Sequence, residues 1–348
     1  MNNTKVYILG AGCSVCGEYP IASHVTKRLL DFARSRLARE DSKELQRCTL
    51  DTCRRMMEMG VETIDQLAGS LNGSEPEVIL DAKRAMSIYF LSIEDAAVER
   101  AVSNYTAFFE ELFRYGDSEL LDKRAISTPC RVITYNYDRL FERTFIEWAK
   151  RIEPYNEDMT NDFNKFVKKY LNAGIGNPHE IEFAQDRFTL LKLHGGVGQF
   201  CRENDSFKRI YHPKFGSIIP DFIDKNHYKP EGYSDDTPTL IFPADKVIQS
   251  RNQNGKSFVE YMETLEAQAL AFCRQAVEIQ IIGYSIQPID YFSFKAMIAE
   301  AKHCKRIVIR NRVSEESRLV RTLEGLKDEF SAEWKIEFRA EDFFALMP

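Results

Sequence analysis

The fold is decided by a short polar stretch in the middle of the chain, Thr134-Tyr135-Asn136-Tyr137-Asp138. A β-branched run, Arg131-Val132-Ile133, leads into it, and a helix-like pattern over residues 139–143 follows at once. The sequence therefore predicts a strand, a turn and a helix in succession, with the polar side chains at the turn. Such strand-to-helix turns are where α/β proteins keep the residues that bind ligands.

Other apolar runs in the chain end in similar turns. The run 6–9 ends in Gly10-Ala11-Gly12-Cys13-Ser14, the run 188–193 in His194-Gly195-Gly196, and the run 277–282 in Gly283-Tyr284-Ser285. Further strands are predicted over 239–242, over 306–309 just before Asn311, and at an edge over 336–338. Helical spacing covers 21–32 and 256–272. This alternation predicts an α/β fold, with a Rossmann-like, mainly parallel sheet and helices on both faces. Ligands bind outside the carboxyl ends of such strands, so we expect the turns to share one crevice.

The chain is long enough for one large core with insertions or for two domains, at 348 residues. We predict a single α/β domain over 1–348 that carries a helical insertion or subdomain at about 35–125. Apolar residues at i, i+3 and i+4 define that insertion, most clearly over 56–71 and 79–113. Polar segments broken by Gly and Pro predict loop-rich insertions at about 150–187 and 198–238.

Charge and cysteine usage exclude some classes of protein. The 47 Lys and Arg residues against 53 Asp and Glu give a net charge of -6, so no global positive field holds a polyanion. Of the eight cysteines, only Cys13 and Cys16 have the spacing of a metal or redox pair, and a zinc ribbon needs a second pair. No metal is expected. The cysteines favour reduced thiols, and the N-terminus has no long apolar segment, so we expect a soluble, cytoplasmic protein.

Several polar residues allow a structural and a functional interpretation. The turn at Gly10 to Ser14 would suit a pyrophosphate, but Val15 stands where a dinucleotide fingerprint has its third glycine, so a plain structural turn is equally compatible. A turn exposes His194, which favours a functional role. Asp65 could face a ligand, but a solvated helical carboxylate is the favoured interpretation. Asp290 precedes a helix and suits either an N-cap or a ligand group.

The four turns taken together resemble the ordered signatures of the sirtuin family, over residues 6 to about 311. Two motifs are most similar to the sirtuin-like domains of prokaryotic antiviral defence. They are Asn-Tyr-Asp at Asn136 to Asp138 and Gly-Tyr-Ser-x-x-x-x-Asp from Gly283 to Asp290. The family's Gly-Ile-Pro-Asp-Phe-Arg stretch has only Gly17-Glu18-Tyr19-Pro20 as its counterpart, and the paired-cysteine zinc module is missing. These departures disfavour protein deacylation, and the zinc-less relatives are known for hydrolysing NAD.

The resemblance implies a role for each matching residue. Asn136 and His194 would be catalytic, with Asn136 holding the nicotinamide ribose or a water and His194 acting as a general base or orienting the ribose. The residues implied to bind NAD, the substrate, are Gly10, Ala11, Gly12 and Ser14 at the pyrophosphate, Asp138 at the nicotinamide carboxamide, Gly283 and Ser285 at the phosphate and ribose, Asp290, and Asn311 at the adenosine ribose.

The same resemblance implies an NAD-depleting effector of anti-phage defence, cleaving NAD to nicotinamide and ADP-ribose. An unrestrained NADase is toxic, so we expect a homo-oligomer and a separately encoded partner, such as a HerA-type ATPase or an Argonaute-like protein. Neither a membrane nor strong direct nucleic-acid binding is expected. Two alternatives remain open: an NAD-dependent protein deacylase, and a non-catalytic sensor or scaffold that binds NAD or ADP-ribose.

Overall fold

The computed structural model describes residues 4–21, 24–36, 43–71, 74–112, 130–152, 189–197, 200–202, 210–211, 236–238, 240, 242 and 256–340. Almost all of the predicted insertion over 150–187, and most of that over 198–238, lie outside these residues. In the described part, the strands are β1 Thr4–Leu9, β2 Cys130–Thr134, β3 Thr189–Lys192, β4 Phe200–Arg202, β5 Ile210–Tyr211, β6 Asp236–Pro238, β7 Ala276–Ile282, β8 Arg306–Arg310 and β9 Lys335–Arg339.

The described α-helices are α1 Val25–Arg36, α2 Lys43–Met59, α3 Ile64–Leu71, α4 Pro76–Leu112, α5 Leu140–Ile152, α6 Lys256–Arg274, α7 Tyr291–Glu300 and α8 Glu316–Glu329. Short 3-10 helices cover Ala11–Gly17, Pro288–Asp290 and Val313–Glu315. None of the described helices is both long and apolar enough to cross a membrane.

Six strands form one parallel sheet in the order β3-β2-β1-β7-β8-β9, and β4 to β6 form a small antiparallel sheet. The chain runs outward from β1 through β2 to β3, and then returns to place β7 on the other side of β1. Neighbouring strands on the two sides of this reversal leave a crevice at their carboxyl ends, which is the usual ligand site of such sheets. The chain therefore adopts a Rossmann-like α/β fold, as predicted.

Alternate side chains of each strand pack on opposite faces of the sheet. On β1, Tyr7 and Leu9 join a cluster with α1 to α5, whereas Val6 and Ile8 join a second cluster with α6 to α8. Strands buried on both faces lack a polar side, which is why these runs are almost wholly apolar. The prediction of helices on both faces is confirmed.

The strand ends lie side by side because the register aligns them. Leu9 pairs with both Thr134 and Ile282, and Thr134 pairs with Lys192. The residues that follow these four positions consequently emerge at one edge of the sheet. The polar turns are thus adjacent in space although they are far apart in the chain.

Two predicted elements differ from the structure. Leu240 and Phe242, from the strand predicted over 239–242, belong to no strand; both are fully buried in the cluster that contains α4. The apolar character of these two residues reflects their burial and not pairing in the sheet. The helical pattern over 56–71 is broken, since α2 ends at Met59 and α3 begins at Ile64.

Candidate functional site

A cavity of about 340 Å³ opens at the carboxyl edge of the sheet, next to the reversal between β1 and β7. The turns after β1, β2, β3, β7 and β8 all contribute to it. Every predicted site residue except Gly10 lines it: Ala11, Gly12, Ser14, Asn136, Asp138, His194, Gly283, Ser285, Asp290 and Asn311. The expected convergence of the turns is therefore present, while the roles of the individual residues remain predictions.

The side chain of Asn136 has a defined orientation. Its Nδ2 donates to the carbonyl oxygen of Gly10 at 2.9 Å and to Oγ of Ser14 at 3.1 Å. A carbonyl oxygen only accepts, so the amide nitrogen must be the atom that faces Gly10. The amide Oδ1 points the other way and has no hydrogen bond in the described part of the chain. Asn136 thus offers the cavity a hydrogen-bond acceptor.

The carboxylate of Asp138 is engaged within the protein. Oδ2 accepts from the Ser14 hydroxyl at 2.8 Å, and Oδ1 accepts from the backbone N–H of Leu140, the first residue of α5, at 2.9 Å. Burial raises the pKa of this carboxyl, and the nearby Lys192 opposes that shift. Asp138 thus caps the start of α5, and each oxygen keeps a lone pair for a ligand such as the predicted carboxamide.

Lys192 fixes the turn after β2 through its side chain. The sequence did not single out this residue. It is buried, and its Nζ donates to the backbone carbonyl of Asp138 and, at 2.9 Å, to Oε1 of Glu142. The sequence did contain a signal for this role, namely a lysine at the end of an apolar strand. Such a lysine is expected to be buried, and a buried ammonium group needs hydrogen-bond partners. The pair connects β3, the Asn136–Asp138 turn and α5.

His194 and Asp290 form a buried pair, so the expectation that the turn exposes His194 was wrong. Nε2 of His194 lies 2.9 Å from Oδ1 of Asp290, and the hydroxyl of Tyr284 donates to Oδ2 at 3.3 Å. An ionised carboxylate only accepts, so Nε2 carries the proton and Nδ1 keeps a lone pair in the neutral imidazole. Asp290 occupies the N-cap position of α7, but its side chain makes no capping bond. Its carboxylate orients the histidine instead.

Three tyrosines surround this pair. The Tyr135 ring stacks on Tyr284 at 4.5 Å and presents its edge to His194 at 5.1 Å between ring centroids. The Tyr137 ring stacks against His194 at 5.6 Å with an interplanar angle of 29°. Two rings from the turn after β2 therefore flank the imidazole, and Tyr284, from the turn after β7, supports the Tyr135 ring and Asp290.

The glycine turns after β1 and β7 pack directly against each other. The N–H of Gly12 donates to the carbonyl of Gly283 at 2.9 Å, and Gly283 has a φ of +58°. A Cβ on Gly283 would lie 2.5 Å from the amide nitrogen of Cys13, so a side chain does not fit there. The amides of Gly10, Gly12 and Cys13 all donate within the protein. These contacts give the glycines a structural role and leave their predicted role at a pyrophosphate a prediction, in which the exposed residue Ala11 would offer its amide.

Ser285 and Asn311 make local hydrogen bonds at the same edge. Nδ2 of Asn311 donates to the carbonyl of Tyr284 at 3.2 Å, and its Oδ1 accepts from the N–H of Arg312 at 2.8 Å. Oγ of Ser285 accepts from Nε2 of Gln287 at 2.9 Å. These contacts fix the turns after β7 and β8, and the predicted ribose contacts of both residues would use their remaining hydrogen-bonding capacity.

The helical segment, α1 to α4, lines the cavity together with the turn after β1, a contribution that the sequence did not reveal. Apolar side chains from this side are Pro20, Ile21, Val25, Ile64, Met86 and Phe90. Asp65 lines the cavity as well, and its Oδ1 accepts from the Tyr137 hydroxyl at 2.9 Å. The expectation that Asp65 is a solvated helical carboxylate was therefore wrong. Its partner is 72 residues away in the chain, so local sequence gives no sign of the contact.

Comparison with known proteins adds no assignment. The chain matches no protein-family model, and no curated protein is similar enough to it to indicate a family. Among the residues described, no three His, Cys, Asp or Glu side chains group as a metal site would. The interpretation of the cavity thus depends on its own geometry.

Proposed function

We propose that this chain is a sirtuin-like NAD glycohydrolase, which cleaves NAD to nicotinamide and ADP-ribose. One observation carries the proposal. A free amide oxygen on Asn136 and a carboxylate-oriented histidine, His194, line a single cavity at the switch point of a Rossmann-like sheet. That position is the usual place for a dinucleotide, and those two groups suit the activation of water.

The reaction needs no strong general acid, because the leaving group departs from a cationic ring. The bond between the ribose anomeric carbon and the pyridinium nitrogen breaks, and its electron pair leaves with nicotinamide, which becomes neutral. Water then adds to the oxocarbenium-like ribose and releases a proton. The protein must therefore stabilise the developing ribose cation, direct the water and accept one proton, much as a glycosidase does.

Three side chains suit these tasks. The Asn136 Oδ1 would accept a hydrogen bond from the water or from a ribose hydroxyl. Nδ1 of His194 would take the proton, since Nε2 is held by Asp290. Asp290 would then stabilise the imidazolium that forms. A positioned general base contributes typically about a hundredfold or more to the rate.

Substitution of Asn136 or His194 by Ala tests these assignments. We expect the rate of NAD cleavage to fall by about a hundredfold or more in each variant, with the fold intact by circular dichroism. His303→Ala is the matched control, because His303 is exposed and lies outside the residues that line the cavity. Wild-type nicotinamide release by a folded Asn136→Ala or His194→Ala variant would refute the assignment of that residue.

The wider biological proposal rests on the resemblance alone. We infer a cytoplasmic effector of anti-phage defence that depletes NAD, assembles as a homo-oligomer and is controlled by a separately encoded partner, such as a HerA-type ATPase or an Argonaute-like protein. Expression in bacteria exposed to phage, with cellular NAD measured over time, tests it. The inference predicts NAD loss on infection with the wild type and stable NAD with Asn136→Ala.

A further inference from the structure

Nothing in the proposed reaction uses the contact between the helical segment and the ring that packs on His194. Asp65 lies in the first turn of α3, and its Oδ1 accepts from the Tyr137 hydroxyl at 2.9 Å. The Tyr137 ring in turn stacks on the imidazole of His194. A continuous path of contacts therefore runs from α3 to the histidine.

Asp65 is held firmly at its own end of this path. A capping box starts α3: the Gln66 N–H donates to Oγ1 of Thr63 at 3.1 Å, and the Thr63 N–H donates to Oε1 of Gln66 at 3.2 Å. Ile64 and Leu67 anchor the same helix in the core. The carboxylate of Asp65 also lies at a helix N-terminus, where a negative charge is favoured.

The imidazole needs more than its bond to Asp290 to be fixed. The hydrogen bond at Nε2 restrains the ring at one atom only, and the torsion about its Cβ–Cγ bond has broad intrinsic preferences. The Tyr135 edge, with an interplanar angle of 75°, and the stacked Tyr137 ring restrict that rotation. Tyr135 belongs to the sheet-side cluster with Tyr284, whereas the Tyr137 hydroxyl is held from α3.

We propose that Asp65 and Tyr137 are positioning residues for His194, which set the plane of its ring and hence the direction of Nδ1. The effect on turnover rests on the proposed NAD cleavage, whereas the effect on the ring does not. Small displacements of a reacting group are costly to the rate, so loss of the contact lowers kcat more than it raises KM. The helical segment thereby contributes to the position of His194 as well as to the lining of the cavity.

Four variants separate positioning from a merely structural role. Tyr137→Phe keeps the stacked ring and removes the hydroxyl, Asp65→Ala removes the acceptor, and Asp65→Asn keeps an acceptor of the same shape. Glu62→Gln is the control, since it removes an equal charge from an exposed side chain three residues before Asp65. We expect Tyr137→Phe and Asp65→Ala to lower kcat about tenfold at nearly constant KM. Asp65→Asn and Glu62→Gln are expected to stay within about twofold of the wild type.

The ring of His194 provides a readout that does not need turnover. Its carbon-bound protons are assigned by NMR from the signals that disappear in His194→Ala, and they report the ring current of the stacked tyrosine. Asp65→Ala is expected to move these signals, and Asp65→Asn and Glu62→Gln to leave them in place. Moved signals together with a wild type that does not cleave NAD would support the positioning role and refute the proposed function. Unmoved signals in Asp65→Ala, or moved signals with a wild-type kcat, would overturn the positioning role.

Discussion

At the scale of single residues, the function of His194 depends on its buried partner. Asp290 fixes the proton on Nε2 and supplies the negative charge that an imidazolium would need. Asp290→Asn keeps the shape of the side chain but removes that charge. We therefore expect kcat for NAD cleavage to fall by about a hundredfold, with little change in KM.

Steady-state kinetics of Asp290→Asn beside Asp31→Asn checks this expectation. Asp31 is an exposed residue of α1, so its substitution is expected to leave both constants near their wild-type values. A wild-type kcat in the Asp290 variant would show that the carboxylate is not needed to orient or charge the histidine.

The close packing of the turns after β1 and β7 requires a glycine at position 283. Alanine there would adopt a left-handed φ, and its Cβ would collide with the backbone at Cys13. We expect Gly283→Ala to lower the free energy of unfolding by about 2 kcal/mol or more. Denaturant unfolding measures the change, and Gly325→Ala in α8 is the control, because a Cβ at that exposed helical position meets no atom within 4 Å.

The control is expected to stabilise the protein by roughly 0.5 to 1 kcal/mol, since alanine favours a helix more than glycine does. Equal stabilities for the two alanine variants would contradict the close packing of the turns after β1 and β7.

At the scale of elements, a buried ionic contact joins α4 to the start of α5. Nε and an Nη atom of Arg139 each donate to the Glu94 carboxylate at 2.7 Å, and Arg143 donates to it as well. Glu94 is fully buried. Burial alone raises the pKa of this carboxyl, but the two guanidinium groups outweigh it and hold the pKa below its ordinary value. This contact fixes the helix that Asp138 caps.

Removal of the Glu94 charge is expected to be costly at neutral pH. Glu94→Gln would leave the buried Arg139 guanidinium without its counter-charge, and the free energy of unfolding is expected to fall by about 3 kcal/mol. Asp95→Asn is the control, because Asp95 also pairs with Arg143 but is 70% exposed, and it is expected to change stability little.

The same variant gives a test of pH dependence. A carboxyl whose pKa is lowered in the folded state contributes stability above its unfolded pKa, near 4.5 for Glu94, and loses that contribution as the pH falls through the folded value. The stability gap between the wild type and Glu94→Gln is therefore expected to be constant near neutral pH and to shrink in acid. Urea unfolding at a series of pH values measures the gap, and a gap that widens in acid would contradict the assignment.

The elements were predictable where local pattern decides them. β-branched runs that end at glycine or at a polar turn, such as those before Gly10, Tyr135 and Gly283, located the strands of the parallel sheet and the edge that carries the site. The strand prediction was wrong for Leu240 and Phe242, because a short apolar run in a buried segment resembles a strand. Pattern alone cannot distinguish the two, since both consist of a few consecutive apolar residues.

The missed residues of the site share a different cause. Glu94 and Arg139 are 45 positions apart, Lys192 and Glu142 are 50, and Asp65 and Tyr137 are 72. Each is an ordinary charged or polar residue in its own segment, and the tertiary fold alone brings it to its partner. Polar side chains at strand ends could therefore be predicted, but the groups that orient them could not.

At the scale of the whole molecule, the cavity lies between two differently built walls. The carboxyl edge of the parallel sheet supplies most of its polar groups, and the helical segment over α1 to α4, with the turn after β1, supplies most of its apolar ones. A change in the packing of that segment would alter the cavity and the ring of His194 together. If an oligomer or a partner controls the chain, this segment is where we expect control to be exerted.

The most direct test of the central claim is incubation of the purified protein with NAD, with and without an acyl-lysine peptide, followed by measurement of the products. NAD hydrolysis predicts nicotinamide and ADP-ribose in equal amounts without peptide, and about a hundredfold less of both, or lower still, from Asn136→Ala. Cleavage that requires the peptide would indicate a deacylase instead. Calorimetric binding of NAD by the wild type without any product would indicate a sensor, and either result would contradict the proposed function.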